Sequence, residues 1–502
     1  MARGLSRRAL VKRGCAALGA AAFACPHFCR TAPAEVGPAS AVLQGRIRIP
    51  PALLSTGIAR DAKGGNPEYQ FGGDVRIADL NGDRCADFVL AKSLGGMKIC
   101  YIGAFTWGGR VLWEWGDKSR RVDSGDADAK EYRATVPARP GPLLAVDIDG
   151  DGRTEVVAMV IQEGIRKTSI WDTKDMQLVI LDGASGKAKR TGAPESLLNA
   201  DARIANGRIE VSNYVHQRLL AADFRGSGGS RDFVVKIGNT ILACDGQLRP
   251  LWTYRNKFAE YPKHSAYIPA VGDMDGDGRD EVLGGNFALD HDGRPLWEKM
   301  MAPNNDSVAI VDWDGDLRNG LEGVLSGYGQ VVRASGEVIL KLGEKLAPHG
   351  QEVRCGRFRD DMPGAQMALR WNGHEPDILI AGREGEVSSR FKVDRSPLNV
   401  GMETVRWYGP DRPDLLCAPP ALWDGWGRRV LVLPDMPKPS GRARDAWFHC
   451  IPADLEGDGR ESVVLFDPCM DEMSVYGARP LKQTPPKGYR HTARQYNARI
   501  MD

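Results

Sequence analysis

Short apolar runs, each broken by an acidic turn, recur along the chain. Leu143-Leu-Ala-Val146 leads into Asp147-Ile-Asp149-Gly-Asp151-Gly-Arg-Thr-Glu155, and a second apolar run follows. Ile268-Pro-Ala-Val271 leads in the same way into Asp273-Met-Asp275-Gly-Asp277-Gly-Arg-Asp-Glu281. Further copies are Asp79-Leu-Asn81-Gly-Asp83 with Asp87, Asp454-Leu-Glu456-Gly-Asp458 with Ser462, and Asp312-Trp-Asp314-Gly-Asp316 with a longer exit. Weaker copies start near 223, 357 and 407. Runs this short, bounded by Gly and Asp, predict strands rather than helices. Asp-Gly or Ser-Gly pairs at 182–183, 245–246, 292–293 and 335–336 add a hairpin to several units. The copies recur on average about every 54 residues. A unit of four strands, repeated about eight times, predicts an all-β chain folded as a single β-propeller of about eight four-stranded blades. Seven blades result if the first and last copies share one. The expected limits are a leader at 1–34, the propeller at 45–480 and a closing tail at 481–502.

Composition supports a turn-rich fold, with 59 glycines and 31 prolines in 502 residues. The formal charge of +2, from 67 basic and 65 acidic residues, gives no footprint for nucleic acid. That balance hides an asymmetry. Arg3, Arg7, Arg8, Lys12, Arg13 and Arg30 precede the first acid, Glu35, and an apolar stretch follows them from Gly14 to Cys25. This is the pattern of an export leader, and Ser6-Arg7-Arg8 matches a twin-arginine signal. The mature chain is then mildly acidic and periplasmic or extracellular. It has no apolar run long enough to span a membrane. Its cysteines are scattered without a C-x-x-C pair, which indicates neither a zinc site nor a disulfide framework.

The acidic loops carry chemistry of their own. Alternating carboxylates around a sharp glycine turn offer only oxygen ligands, the donor set and spacing that suit Ca²⁺. The expected ligands are Asp79, Asn81, Asp83 and Asp87; Asp147, Asp149, Asp151 and Glu155; Asp273, Asp275, Asp277 and Glu281; Asp312, Asp314 and Asp316; and Asp454, Glu456 and Asp458. Such ions chiefly clamp adjacent strands, although one catalytic divalent ion is compatible with the pattern. The copies at 223, 357 and 407 lack the acids.

A second phase relation appears five to nine residues upstream of the loops, where a funnel rim is expected. Tyr214, His216 and Arg218 stand before 223, and His264 and Tyr267 before 273. Asn305 and Asp306 precede 312, His349 and Arg354 belong to the 357 copy, and His449 precedes 454. Histidine, tyrosine, arginine and amide on one rim suit proton abstraction next to a carboxylate, followed by protonation of a leaving oxygen. That is β-elimination on a uronic acid polysaccharide. The alternatives are inter-blade hydrogen bonding by the same residues, or a non-catalytic propeller that binds glycan or protein. Trp113, Trp115, Trp252 and Trp297 share one strand context, which suits packing better than sugar stacking.

The loops resemble the FG-GAP and VCBS repeats of integrin-type propellers. His264-Ser-Ala-Tyr267, Pro348-His349-Gly-Gln351-Glu-Val-Arg354 and Tyr489-Arg-His491 resemble calcium-containing propeller polysaccharide lyases of the rhamnogalacturonan, ulvan and rhamnose–glucuronate types. The resemblance implies an exported enzyme that cleaves an acidic, rhamnose-containing polysaccharide, and a monomer is expected. It implies His264 and Tyr267, or His349, as base and acid, with Arg354 neutralising the substrate carboxylate. Tyr214, His216, Arg218, Asn305, Asp306 and His449 would then contact substrate.

Overall fold

Strand formation follows the apolar runs closely. The computed structural model describes residues 39–54, 75–94, 98–118, 143–165, 173–200, 218–260, 263–394, 401–439, 448–467 and 470–491. They form all-β structure with a few helical turns. Four separate four-stranded antiparallel sheets start at Arg218–Ala222, Ala270–Gly272, Val308–Val311 and Glu352–Gly356. In another, Val42–Arg48 pairs with Glu472–Gly477, so an early strand completes the sheet made by the last part of the chain.

The single propeller of eight, or seven, equal four-stranded blades is not what these residues form. The sheets are separate and none closes on itself. One has eight strands, one has five and one has two. The merger has a local cause. Strands Asp87–Leu94 and Lys98–Thr106 run longer than their counterparts. Their overhang brings Ile99 beside Val160 in a parallel pair, which fuses the first two repeat units into one sheet. Ala39–Ser40 adds in parallel to Arg429–Val432, giving the five-stranded sheet. Ala259–Glu260 and Lys263–His264 form the two-stranded one.

The apolar cores lie between successive sheets. Leu220, Phe224 and Val234 of one sheet pack with Ile268, Val282 and Phe287 of the next. An aromatic residue of an outer strand pins the following hairpin turn. Trp113 Nε1 donates to the Gly183 carbonyl (2.6 Å), Trp252 Nε1 to that of His291 (2.7 Å), and Trp297 Nε1 to that of Ala334 (3.1 Å). The turn needs glycine there. A Cβ at Gly293 (φ +82°) would lie 2.6 Å from the Trp252 ring. Three of the four singled-out tryptophans thus hold sheets together.

The first strands of successive sheets face one another around a cavity of about 230 Å³, lined by Leu220, Val271, Ile310, Arg354, Glu403 and Pro452 among others. The tail docks by its side chains. Tyr489 donates its hydroxyl to the Ile77 carbonyl (2.9 Å), and His491 Nε2 lies 2.9 Å from that of Ala145. The leader expected at 1–34 lies outside the described residues. Among the described residues no helix is long and apolar enough to cross a membrane. The six described cysteines, including Cys85 and Cys450, are unbridged.

Candidate active site and acidic loops

Three connecting segments meet at one end of the first strands. Residues 264–267 run beside 303–306 through backbone bonds from His264 N to Pro303 O (3.0 Å) and from Asn305 N to His264 O (3.3 Å). His349 is fixed by a parallel bridge to Asn372 and by its carbonyl, which accepts from Gly373 N (2.8 Å). Asn286, fully buried, binds the first two segments together. Its Nδ2 donates to the His264 carbonyl (3.2 Å), while its Oδ1 accepts from Met301 N (2.9 Å) and Asn305 Nδ2 (2.8 Å).

The outcome is a buried carboxylate between two imidazoles. Asp306 Oδ2 is 3.2 Å from His349 Nε2, and Asp306 Oδ1 is 3.2 Å from His264 Nε2. The second contact is a charge contact rather than an aligned hydrogen bond. His264 Nδ1 lies 3.0 Å from the Ser265 carbonyl, which can only accept, so that nitrogen carries a proton. Its Nε2 is left for Asp306 and for the Tyr267 hydroxyl at 3.4 Å. The Tyr267 and His264 rings stack at 4.8 Å. His264 and Asp306 are buried, whereas Tyr267 and His349 are partly open to solvent. The hydrogen bond that His349 donates to Asp306 holds the imidazole above its ordinary range, against the opposing effect of burial. His349 Nδ1 makes no hydrogen bond among the described residues. Gly373 stands beside it, where a Cβ would already lie 3.4 Å away. A half-exposed imidazole oriented by a buried carboxylate, with a phenol nearby, can take and give protons at a bound ligand.

Four predicted residues therefore come together: His264, Tyr267, Asp306 and His349. Asn305 is adjacent and buried, with Oδ1 unmatched by a donor. Arg354 does not join them. It lies on strand Glu352–Gly356, where Nε donates to Glu403 (2.9 Å) and Nη2 pairs with Glu352 (3.1 Å), and it lines the cavity between the first strands. His449 is buried edge-on against Phe466, on a different strand. Arg218 is buried on the first strand of its sheet. Tyr214 and His216 lie outside the described residues. Sequence reasoning missed Asn286, whose only signal is its place after Gly284-Gly285 in a hairpin.

At the other end of the same strands sit the acidic loops. Carboxylate oxygens converge within 4.8 Å in Asp79/Asp83/Asp87, Asp147/Asp149/Glu155, Asp273/Asp275/Glu281, Asp277/Glu281/His291 and Asp312/Asp314/Glu322, the fourth set with a histidine nitrogen. Glu322 and His291 are additions to the sequence reading. A 3-10 turn, Leu317–Asn319, delays the closing acid of the 312 loop, and Asp316 caps that turn instead. No cluster forms among Asp454, Glu456 and Asp458 within the described residues. Burial pushes the Asp87 carboxyl up to about 7 and that of Glu281 up to about 8.

No family model matches the sequence. Among curated proteins, the rhamnogalacturonan exolyase YesX of Bacillus subtilis is 26% identical over 472 residues, covering 83% of this chain and 72% of that enzyme. The rhamnogalacturonan endolyase YesW of the same species is 26% identical over 284 residues, 50% of this chain and 43% of that enzyme. The crystal structure of rhamnogalacturonan lyase YesW matches with a TM-score of 0.60 at 19% identity, over 89% of this chain and 76% of that one. A Bacillus licheniformis rhamnogalacturonan lyase matches at 0.58 with 20% identity, over 85% and 74%. The arrangement of separate sheets is thus shared with these lyases and takes the place of the expected single propeller. The FG-GAP, VCBS and ulvan-lyase resemblances find no counterpart among these relatives. The homology is to rhamnogalacturonan lyases, and the enzyme class consistent with it is polysaccharide lyase.

Proposed function

We propose that this protein is an exported lyase that cleaves a rhamnogalacturonan backbone by β-elimination, at the site formed by His264, Tyr267, Asp306 and His349. The observation that carries the reading is the buried Asp306 carboxylate bridging two imidazoles, one of them open to solvent. His349 Nδ1 takes the C5 proton of the uronate, and Asp306 stabilises the imidazolium that results. The electron pair forms the C4–C5 double bond as the C4–O bond breaks. The leaving oxygen takes the Tyr267 hydroxyl proton, and solvent returns one to the partly open tyrosinate.

Arg354 is engaged by Glu352 and Glu403, so the uronate carboxylate needs another counter-charge. Asn305 Oδ1 and Asp306 Oδ1 are buried acceptors without an aligned donor, oxygens that suit a divalent cation. Such an ion would supply the positive charge that steadies the carboxylate. The acidic loops are read as structural Ca²⁺ sites.

The test is a rise in ultraviolet absorbance from unsaturated uronate ends when the purified protein meets rhamnogalacturonan with Ca²⁺. His349→Ala should abolish the rise while the melting temperature holds. If neither rhamnogalacturonan nor any other uronate glycan yields unsaturated ends, the lyase reading falls and the non-catalytic binding alternative takes its place.

A further inference from the structure

The acidic loops look alike in sequence but differ in how their charge is met. In the 147 loop, Lys189 Nζ lies 2.5 Å from Asp149, 2.9 Å from Glu155 and 3.6 Å from Asp151. In the 454 loop, Arg479 Nη2 lies 2.7 Å from Glu456 and 2.6 Å from Asp458, with Lys482 at 3.6 Å. In the 312 loop, Arg333 spans Asp314 at 3.5 Å and Glu322 at 3.6 Å. The 223 copy carries the exchange in its own sequence. Arg225 stands at the third loop position and pairs at 2.7 Å with Asp232, the buried acid that begins the second strand.

The 79 and 273 loops have no such partner. Among the described residues no lysine or arginine pairs with Asp79, Asp83, Asp87, Asp273, Asp275 or Glu281. Their closing acids are fully buried, and each spends one oxygen on the loop backbone. Asp87 Oδ2 accepts from Leu80 N (3.1 Å), and Glu281 Oε2 accepts from Met274 N (2.7 Å). The other oxygen, Asp87 Oδ1 or Glu281 Oε1, is buried without a hydrogen-bond partner. The equivalent acids of the lysine- and arginine-filled loops, Glu155, Asp232 and Glu322, leave no such orphan.

An orphaned carboxylate oxygen at zero exposure is costly unless something positive meets it. We infer that, of the five acid-rich loops, only those at 79 and 273 are divalent-cation sites, and that Lys189, Arg333 and Arg479 are built-in counter-cations that fill the other three. This rests on the reading of the loops as Ca²⁺ sites and narrows it. The competition is direct, because Ca²⁺ needs ligand oxygens at about 2.3–2.6 Å and the Lys189 ammonium already sits between two of them. A tethered cation also needs no association from solution, so it holds its place without loss of translational freedom.

The experiment counts Ca²⁺ equivalents bound by the chelator-stripped full chain, by calorimetric titration and equilibrium dialysis. The substitutions fall on exposed or partly exposed loop positions. Asp83→Ala and Asp275→Ala should each lose one equivalent relative to the unsubstituted chain. Asp149→Ala and Asp314→Ala should leave the count unchanged, and Lys189→Met should add one. Circular dichroism of each variant shows that the fold persists. An equivalent lost in Asp149→Ala, or none gained in Lys189→Met, overturns the assignment of Lys189 as the resident cation. No equivalents lost in Asp83→Ala and Asp275→Ala overturns the reading of the loops as calcium sites altogether.

Discussion

Replacing Asp306 with asparagine keeps the shape of the side chain and removes the charge between His264 and His349. At 3.2 Å, the Asp306–His349 separation, a pair of unit charges attracts by about 5 kcal/mol at an effective dielectric near 20 and about 1.3 kcal/mol in water. His349 has one face in solvent, so about 2–3 kcal/mol of imidazolium stabilisation is at stake. That corresponds to a fall of roughly 30- to 150-fold in kcat/KM. The pH profile supplies the sharper signature. In the native protein Asp306 raises the His349 imidazole, so the free base is populated only above that raised value, and the rate climbs as pH rises through it. Without the carboxylate the imidazole titrates lower, and the acidic limb moves to lower pH even as the plateau falls. Initial rates of unsaturated-uronate release, between about pH 5 and pH 9 and well below the melting temperature, separate these effects. A plateau loss with an unmoved limb would refute the claim that Asp306 acts through His349. An unchanged profile would remove the dyad from the mechanism.

Three further outcomes follow from the geometry. Tyr267→Phe keeps the ring that stacks on His264 but loses the proton donor, so kcat should fall by about 10²–10⁴ with KM little changed, in steady-state assays. Arg354→Met takes one partner from Glu403 and one from Glu352, which keeps Arg370, and should cost about 3 kcal/mol in urea denaturation. Activity of the folded fraction should persist, and its loss at full stability would return Arg354 to the catalytic site. His491 is held by burial at about 4, below its ordinary value, so folding favours the neutral ring. The stability it contributes is complete above about pH 6.5 and is lost as pH falls through about 4, on the order of 3 kcal/mol. Urea melts at both ends of that window should show His491→Gln flattening this acid limb, and a limb of unchanged depth would contradict the assignment.

What the sequence made legible was local. Carboxylates two residues apart around a glycine define a loop without reference to the rest of the chain, so the 79, 147, 273 and 312 clusters could be read directly. Glu322 escaped because a 3-10 turn shifts the closing acid out of register. Whether a loop holds a lysine is decided by strand Ala188–Gly192, far along the chain from Asp149, and no loop motif contains that information. The histidines of shared phase at 264 and 349 do meet at Asp306, but phase specifies a height on a strand and not a direction. His449 has the right phase and turns into a core against Phe466. Arg354 lies within its strand rather than before it, and its partners are acids of its own and the next sheet. The merged sheet was illegible for a different reason. It depends on how far two strands overhang, which the repeat period averages away.

The same first strands carry both kinds of chemistry at opposite ends, and this constrains how they can communicate. Asp306 precedes strand Val308–Val311 and Asp312 follows it. Tyr267 and Asp273 stand in the same relation to Ala270–Gly272. Six residues of extended chain are roughly 20 Å, about two and a half Debye lengths at physiological salt. A cation bound at an acidic loop therefore cannot touch a substrate held at Tyr267 and His349, and its field there is weak. Its influence must pass through the position of the strand. Partial removal of loop cations should accordingly lower stability first and activity only in proportion to the unfolded fraction. A cation at Asp306 would do the reverse, since its loss removes charge from the reacting centre while the sheets remain packed. The order in which melting temperature and rate respond to a chelator thus distinguishes the two sites by their place on one strand.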